Sequence, residues 1–479
     1  MFSAIYTHRV LEPAYINWRT VLLPDFFRVQ KAHLIMLTEQ GIIQRDAALA
    51  IKKGIDAIEK ESPFPERIPA GVEDIYFLFE QKLTERIGSE LSGQLHTARS
   101  RNDMDTAILR LYLRRRLLKF LRVLQELILT ISHRIREDGN DLIVLYTHGQ
   151  PANVSTLGHY FSAFALEIFE GIEQLRYALH IVDLSPMGAC ALTTTGFPIH
   201  RERMAELLGF VKPVYNSYQA ISGGHWLLYP STALRGLLSD ITRFVMDLSH
   251  KASCEVGLLS FPDELVQVSS IMPQKRNPVI LEHVRIQAGL GMGILGGIET
   301  LFHNTPYQDV NEVADAPVFE LDRAIHLGIS CVELLEEIFQ NIQIEQERVK
   351  ELSEKYYITA TELADTLVRD QGLDFRSAHK LVSEFVHAGG DLDTLRQIFA
   401  QKVGRRLLWT DTEIREILSP ERFVKVRKII GGPASEGMAP VIERIDTLNT
   451  DFENFISEME ARDTSSEELI HRCWTELTS

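Results

Sequence analysis

Apolar residues along this chain recur mostly at helical spacing. Between residues 106 and 135 they fall at steps of three and four without an interrupting proline, and they occupy more than one face. A helix that is apolar over so wide an arc is usually buried on several sides, as at the centre of a bundle. Similar long patterns cover residues 156–182, 231–258, 280–302 and 317–342.

Segments with the alternating pattern of a β-strand are few and short. The pattern therefore predicts an all-α protein with a core of about five long helices. Composition changes near residues 99–105 and again near 355–361, after which the predicted helices are shorter and separated by glycine and proline. We expect three domains: an N-terminal helical domain (1–105), a central bundle of long helices (106–355) and a small C-terminal helical domain (356–479).

Composition and charge narrow the functional classes. The 479 residues are 45% hydrophobic, which excludes disordered and fibrous proteins. A net charge of −16 disfavours nucleic-acid binding, and the basic run Arg114-Arg115-Arg116 is expected to be the solvated face of a helix. Four widely spaced cysteines, with no secretory or membrane-spanning pattern, predict a soluble cytoplasmic protein that is not bound to a membrane.

One glycine pattern resembles a nucleotide-binding motif. Gly291, Gly293 and Gly296 have the G-x-G-x-x-G spacing, but that motif requires a strand before it and a helix that begins at it. Here both flanks continue a single helical pattern. We therefore expect these glycines to permit close helix packing, and we infer no nucleotide.

Three polar stretches separate the long helical patterns and carry side chains suited to chemistry. Residues 96–103 read His-Thr-Ala-Arg-Ser-Arg-Asn-Asp, a donor-rich set suited to a carboxylate. Residues 146–153 read Tyr-Thr-His-Gly-Gln-Pro-Ala-Asn and offer a hydroxyl, an imidazole and an amide. Residues 268–278 read Val-Ser-Ser-Ile-Met-Pro-Gln-Lys-Arg-Asn-Pro. Taken singly, each stretch has a structural alternative: a helix cap, a helix-end histidine or a turn.

Taken together, the three stretches resemble the fumarase/aspartase superfamily, whose shared signature loop is S-S-x-M-P-x-K-x-N. The stretch at 96–103 resembles that of the argininosuccinate lyases in particular. This resemblance implies a three-domain helical fold and a homotetramer in which the long central helices form a common twenty-helix core. It also implies active sites that are each built from three subunits. It implies no metal, cofactor or nucleic-acid partner.

The resemblance also implies a reaction, the anti elimination that releases fumarate from a substituted succinate. Ser269 would be the base, with its oxyanion stabilised by Lys275 and by backbone N–H groups of the loop. His148 would pair with Glu282 and assist protonation of the leaving amine. The implied substrate-binding residues are Ser100, Arg101, Asn102, Thr147, Gln150, Ser270, Met272, Asn277 and Tyr307.

The chain departs from the argininosuccinate lyases where those enzymes hold the amine. Phe26 and Gln30 replace an aspartate and a serine of the family pattern, and Gly223-Gly224 begins a segment that replaces Asp-Arg-Asp. Each lost polar contact costs about 1 kcal/mol or more of binding free energy. We therefore predict a reversible, fumarate-releasing carbon–nitrogen lyase that acts on an N-substituted aspartate other than argininosuccinate. An aminocarboxylic acid, the class used by ethylenediaminedisuccinate lyase, is the expected amine.

Several alternatives stay open at the level of sequence. A genuine argininosuccinate lyase is the main alternative. An adenylosuccinate lyase is a weaker one, because it shares the T-H-x-Q-P-A pattern of residues 147–152 but not the stretch at 96–103. The bond broken could instead be C–S or C–O, because the succinyl half of the site would look the same. A catalytically silent scaffold of the lens-crystallin kind belongs to a different functional class.

Overall fold

The computed structural model describes residues 2–477. Its N-terminal part is helical, and the aromatic rings of Phe26 and Phe79 join two of the helices with their centroids 5.1 Å apart. The helices here are α1 (Ala4–Tyr6), α2 (Glu12–Asn17), α3 (Leu23–Glu39), α4 (Arg45–Glu61), α5 (Ile75–Ile87) and α6 (Ser89–Gln94), with π-helical turns at Thr7–Leu11 and Trp18–Leu22.

The central part consists of long helices that share one hydrophobic core. Its elements are α7 (Arg101–Glu137), β1 (Leu142–Thr147), β2 (Gln150–Thr156), α8 (Leu157–Val182), β3 (Leu184–Ser185), α9 (Arg201–Leu207), β4 (Lys212–Pro213), α10 (Ser217–Ser222), α11 (His225–Lys251), β5 (Leu259–Ser260), β6 (Gln267–Val268), β7 (Arg276–Asn277), α12 (Val279–Leu301), α13 (Asp315–Asn341) and β8 (Gln343–Ile344). The helices α7, α8, α11, α12 and α13 form the bundle, which confirms the predicted all-α class.

Helix α12 runs antiparallel to α11. Gly224, just before α11, lies against the ring of Phe302, just after α12, and a Cβ atom at Gly224 would be 2.2 Å from that ring. Midway along both helices Gly291 packs on Leu238, so this glycine serves helix packing within one continuous helix, as predicted. The loop after α12 reaches Asn102 in the first turn of α7. We call this the Asn102 end of the bundle.

The other end of the bundle carries the hairpin of β1 and β2. Helix α7 ends there, and Arg134 in its last turn donates a hydrogen bond to the carbonyl of Ile342, just after α13, at 3.0 Å. The ring of Tyr146 in β1 lies 4.9 Å from that of His250 near the end of α11. We call this the hairpin end, and α8 and α12 begin at it.

The C-terminal part contains a second, smaller hydrophobic core and a long helix. Its helices are α14 (Gln346–Lys355), α15 (Ala360–Gln371), α16 (Phe375–His387), α17 (Leu392–Val403), α18 (Asp411–Ile417), α19 (Pro420–Lys425) and α20 (Ser435–Glu476). The small core includes Leu363 and Phe399. The expectation of short helices after residue 355 was wrong for α20, whose Phe452 and Ile456 join the main core. The predicted domain limits stay a prediction.

The basic run in α7 corrects a second expectation. Arg114 is buried, and its guanidinium pairs with Asp183 at 2.9 Å and with Asp463 of α20 at 2.5 Å. Arg115 and Arg116 form ion pairs with carboxylates of α3 and α13. The run is therefore an internal tie between helices and not a solvated face. No helix among residues 2–477 is both long enough and apolar enough to cross a bilayer.

Candidate active site

The first predicted stretch caps the start of α7. The Ser100 hydroxyl accepts the N–H of Asn102 at 3.3 Å, and the N–H of Ser100 donates to the carboxylate of Asp103 at 2.9 Å. The other oxygen of buried Asp103 accepts the N–H groups of Gly188 and Cys190, each at 2.9 Å. The capping box thus also holds the 186–191 loop beside Asn102.

Asn102 faces the loop that follows α12. Its side-chain amide donates to the carboxylate of Asp309 at 2.7 Å and more weakly to the carbonyl of Ala191 at 3.5 Å. Tyr307 is in the same loop, its backbone carbonyl accepts a hydrogen bond from the Tyr218 hydroxyl, and its ring is 60% exposed. The structure therefore places Ser100, Asn102 and Tyr307 at the Asn102 end of the bundle.

Arg101 points to a different neighbour. Its guanidinium pairs with Asp74 at 2.7 Å and Glu73 at 3.2 Å, and Asp105 lies 3.7 Å away. Burial lowers the pKa of Arg101, but these carboxylates outweigh burial and the net pKa is raised. Burial also raises the pKa of Asp105 to about 8, with Arg101 opposing that shift. Within one chain, Arg101 is therefore engaged with carboxylates.

The second predicted stretch is the turn of the β1–β2 hairpin. Thr147 pairs with Gln150, and the two central residues have positive φ angles, 52° at His148 and 74° at Gly149. A two-residue turn with positive φ at both centres matches the twist of the strands. Thr147, His148 and Gln150 are all exposed, so the hairpin presents its polar groups outward from the bundle.

The third predicted stretch forms a loop closed by a short strand pair. Gln267 and Val268 of β6 pair with Asn277 and Arg276 of β7, and the Asn277 side chain donates to the carbonyl of Gln267 at 3.0 Å. Residues 270–275 between these strands are exposed, among them Ser270, Met272 and Lys275. The loop therefore projects from a fixed base.

Ser269 occupies a polarised position in this loop. Its hydroxyl oxygen accepts the backbone N–H groups of Met272 at 3.0 Å and Ile271 at 3.3 Å. Two N–H dipoles directed at one oxygen stabilise negative charge on that oxygen. This is the arrangement that a serine needs in order to act as a base, because an ordinary hydroxyl loses its proton too reluctantly.

The predicted groups lie at opposite ends of the bundle in a single chain. Helix α12 begins directly after the Ser269 loop and ends beside the Asn102 loop, and its 23 residues span about 35 Å at 1.5 Å per residue. Helix α7 separates Asn102 from the hairpin in the same way. No ion pair joins His148 to Glu282 within residues 2–477. A succinyl group cannot span these distances within one chain.

Sequence comparison finds matches over nearly the whole chain. The profile of the lyase family matches residues 2–293, and that of the argininosuccinate lyase C-terminal region matches residues 357–425. Argininosuccinate lyase 2 of Agrobacterium fabrum is 38% identical in an alignment 444 residues long, which covers 91% of this chain and 88% of that protein. The chain belongs to this lyase family. It is a fumarate-releasing carbon–nitrogen lyase.

Further comparisons agree with this assignment. The argininosuccinate lyase of Methanothermobacter thermautotrophicus is 34% identical over 429 residues, covering 87% of this lyase and 91% of that protein. Among solved structures, EDDS lyase in complex with formate superposes with a TM-score of 0.86 and 26% identity, covering 96% of this lyase and 92% of that chain. The fumarase/aspartase resemblance and the fold class predicted from the sequence are both confirmed.

The positions expected to mark the amine pocket require a correction. Phe26 is fully buried against Phe79, and Gln30 is fully buried with its amide 3.1 Å from the sulfur of Met104. Neither side chain reaches a surface on which this lyase could bind an amine. Gly224 differs, because the Phe302 ring occupies the space that a side chain there would need.

Sequence reasoning did not identify the side chains that hydrogen-bond the segment just before Ser100. His33 hydrogen-bonds the carbonyl of Thr97 at 3.0 Å, and Tyr76 hydrogen-bonds the ring of His96 at 2.5 Å. Ala98, the residue after Thr97, has a φ of 58°, which is unusual for a residue with a Cβ atom. Burial lowers the pKa of His33 well below its ordinary range, so this ring is neutral. The sequence signal for these contacts was limited to His96, which begins the stretch at 96–103, and to His33, which lies in the same family pattern as Phe26 and Gln30.

Proposed function

We propose that this lyase releases fumarate from an N-substituted aspartate by an anti elimination in which Ser269 removes the proton. The observation that carries the proposal is the pair of backbone N–H groups, from Ile271 and Met272, directed at the Ser269 oxygen. They favour the alkoxide form of the side chain at its position on an exposed loop.

The remaining chemistry follows from the substrate. The Ser269 alkoxide takes a proton from the carbon next to one carboxylate, which becomes an aci-form dianion, and the C–N bond then breaks at the neighbouring carbon. Lys275 and Asn277 would stabilise the dianion, and Ser100, Asn102 and Thr147 would hold the carboxylates. His148, oriented by Glu282, would assist protonation of the departing amine. Arg101, Gln150, Ser270, Met272 and Tyr307 complete the proposed binding set.

The site needs more than one subunit. We propose a homotetramer in which each site takes the Asn102 region, the hairpin and the Ser269 loop from three different chains. In one chain Asn102 lies at the end of the bundle opposite to the hairpin and the Ser269 loop, which supports a site that takes groups from more than one chain. Helix α12 supports it as well, because Ile286 and Leu290 are 50% and 58% exposed next to the small residues Gly289 and Gly293. Such a face suits close packing against the same helix of another copy. A cytoplasmic location stays a prediction.

We propose an amine other than arginine, such as an aminocarboxylic acid. Support comes from Gly224, where the family's polar side chains are replaced by the packing of Phe302. The structural likeness to EDDS lyase over 96% of the chain fits this choice. Argininosuccinate is the second candidate substrate, favoured by the 38% identity to an argininosuccinate lyase and by the matching C-terminal region.

Fumarate absorbance with purified enzyme tests the proposal. The panel consists of argininosuccinate, ethylenediaminedisuccinate, adenylosuccinate and aspartate, with S-succinylcysteine included to probe the bond type. We expect turnover of an aminocarboxylic substrate and little with argininosuccinate. Efficient turnover of argininosuccinate would contradict the choice of amine. Loss of turnover in Ser269→Ala, with the tetramer retained, would exclude a silent scaffold.

A further inference from the structure

Within the part of the chain that the structure describes, the carboxylate of Asp309 has one hydrogen bond and no ion pair. It accepts from the Asn102 amide at 2.7 Å, and no ion pair reaches it from any residue in the range 2–477. Partial burial raises the pKa of Asp309. The nearby cation Arg101 is already paired with Asp74 and Glu73. Asp309 therefore lies next to a proposed carboxylate-binding amide and adds a negative charge there.

The substrate carries a cation that could pair with the carboxylate of Asp309. In an N-substituted aspartate, the carboxylate that does not become the aci form is attached to the carbon that carries the nitrogen. When that carboxylate binds Asn102, the protonated nitrogen lies about one hydrogen bond away from it, close to Asp309. Without such a cation, the substrate carboxylate and Asp309 would repel each other.

We propose that Asp309 binds the protonated amine nitrogen of the substrate and so selects N-substituted aspartates over succinyl compounds that lack a cationic nitrogen. This inference rests on the proposed function, and it adds a specificity residue that the sequence motifs do not contain. Fumarate, which has no nitrogen, gains nothing from Asp309. The carboxylate therefore favours the substrate over the product at the same amide.

The test compares substrate and product in Asp309→Asn. Asparagine keeps the shape and can still accept from Asn102, but it lacks the charge. We expect KM for the best amine substrate to rise about tenfold or more, because a charge-assisted hydrogen bond is lost. The inhibition constant of fumarate should stay unchanged or fall. Asp309→Glu, which keeps the charge, should restore part of the affinity for the amine substrate.

A matched control uses Glu320→Gln, which removes an exposed carboxylate from the second turn of α13, near the same end of the bundle. It should leave both constants unchanged. An unaltered KM in Asp309→Asn, or equal changes in KM and in the fumarate constant, would overturn the role of Asp309. A parent enzyme that releases fumarate from no member of the panel would instead count against the proposed function, so the two failures are distinguishable.

Discussion

Two inactive variants should restore activity when they share a tetramer. Asn102→Ala damages the Asn102 end of the bundle and Ser269→Ala damages the loop before α12. These groups lie about 35 Å apart along α12 in one chain. If each site takes them from different subunits, a mixed tetramer contains some sites in which both groups are intact.

The expected recovery follows from counting. An intact site needs Ser269 from an Asn102→Ala chain and Asn102 from a Ser269→Ala chain. With equal expression and random assembly, each condition is met half of the time, so about one quarter of the sites are intact. Co-expression of the two variants should therefore give about a quarter of the parent fumarate release per milligram, while each variant alone gives almost none.

The control for this experiment pairs Ser269→Ala with Lys275→Ala. Both changes lie in one loop, so every site receives a loop that carries one of them and mixing should restore nothing. Equal recovery of fumarate release in both pairs would mean that the recovery does not come from sites shared between subunits. The absence of recovery in the Asn102 pair, with mixed tetramers demonstrated by two affinity tags, would refute the shared site.

Four further outcomes are expected. Ser269→Ala should lower kcat by about 10³-fold through loss of the base, whereas Ser270→Ala should retain most of it, as measured by fumarate absorbance. Ala98→Gly should raise the free energy of unfolding by about 0.5 kcal/mol in urea titrations, because φ is 58° at this position. Asp463→Asn should lower the free energy of unfolding by about 2 kcal/mol, since Arg28 and Arg114, which are both buried, each lose one of their carboxylate partners. Asp105 has a folded-state pKa of about 8, so it is protonated in the folded chain and ionised in the unfolded one between about pH 4 and pH 8. The contribution of Asp105 to the free energy of unfolding should therefore fall by about 1.4 kcal/mol per pH unit as pH rises through this window, and Asp105→Asn should remove this contribution from the measured pH dependence.

Helical periodicity predicted the bundle well because the bundle buries its helices on several sides. The predicted segment 280–302 compares with Val279–Leu301, and 156–182 compares with Leu157–Val182. The predicted start at 231 was late because Pro230 lies inside α11, which begins at His225. A proline six residues into a helix suggests a boundary from sequence because it removes one i→i−4 hydrogen bond. Helix α11 nevertheless continues through Pro230, with Trp226 before it and Leu234 after it both buried in the core.

The long C-terminal helix shows where periodicity was insufficient. Helix α20 contains Pro440 and many charged residues, so its pattern resembles a short surface helix. Its position depends on partners far away in sequence, above all the ion pairs of Asp463 with Arg28 and Arg114. The same contacts explain why the arginine run of α7 is internal. Pairings at such sequence separation leave no local signal.

The candidate site likewise contains one part formed by neighbouring residues and one part formed by loops that are far apart in sequence. The signature loop is local: the eleven residues 267–277 contain Ser269, the N–H groups that polarise it, and the strand pair that closes the loop. The amine half is assembled from loops that are distant in sequence, and Asp309 meets Asn102 across 207 positions. A motif can therefore identify the elimination chemistry, while the proposed choice of amine depends on contacts between loops that are distant in sequence. This is why the sequence could offer a prediction for the succinyl half, whereas Phe26 and Gln30, which only align with the amine-binding positions of relatives, lie in the core.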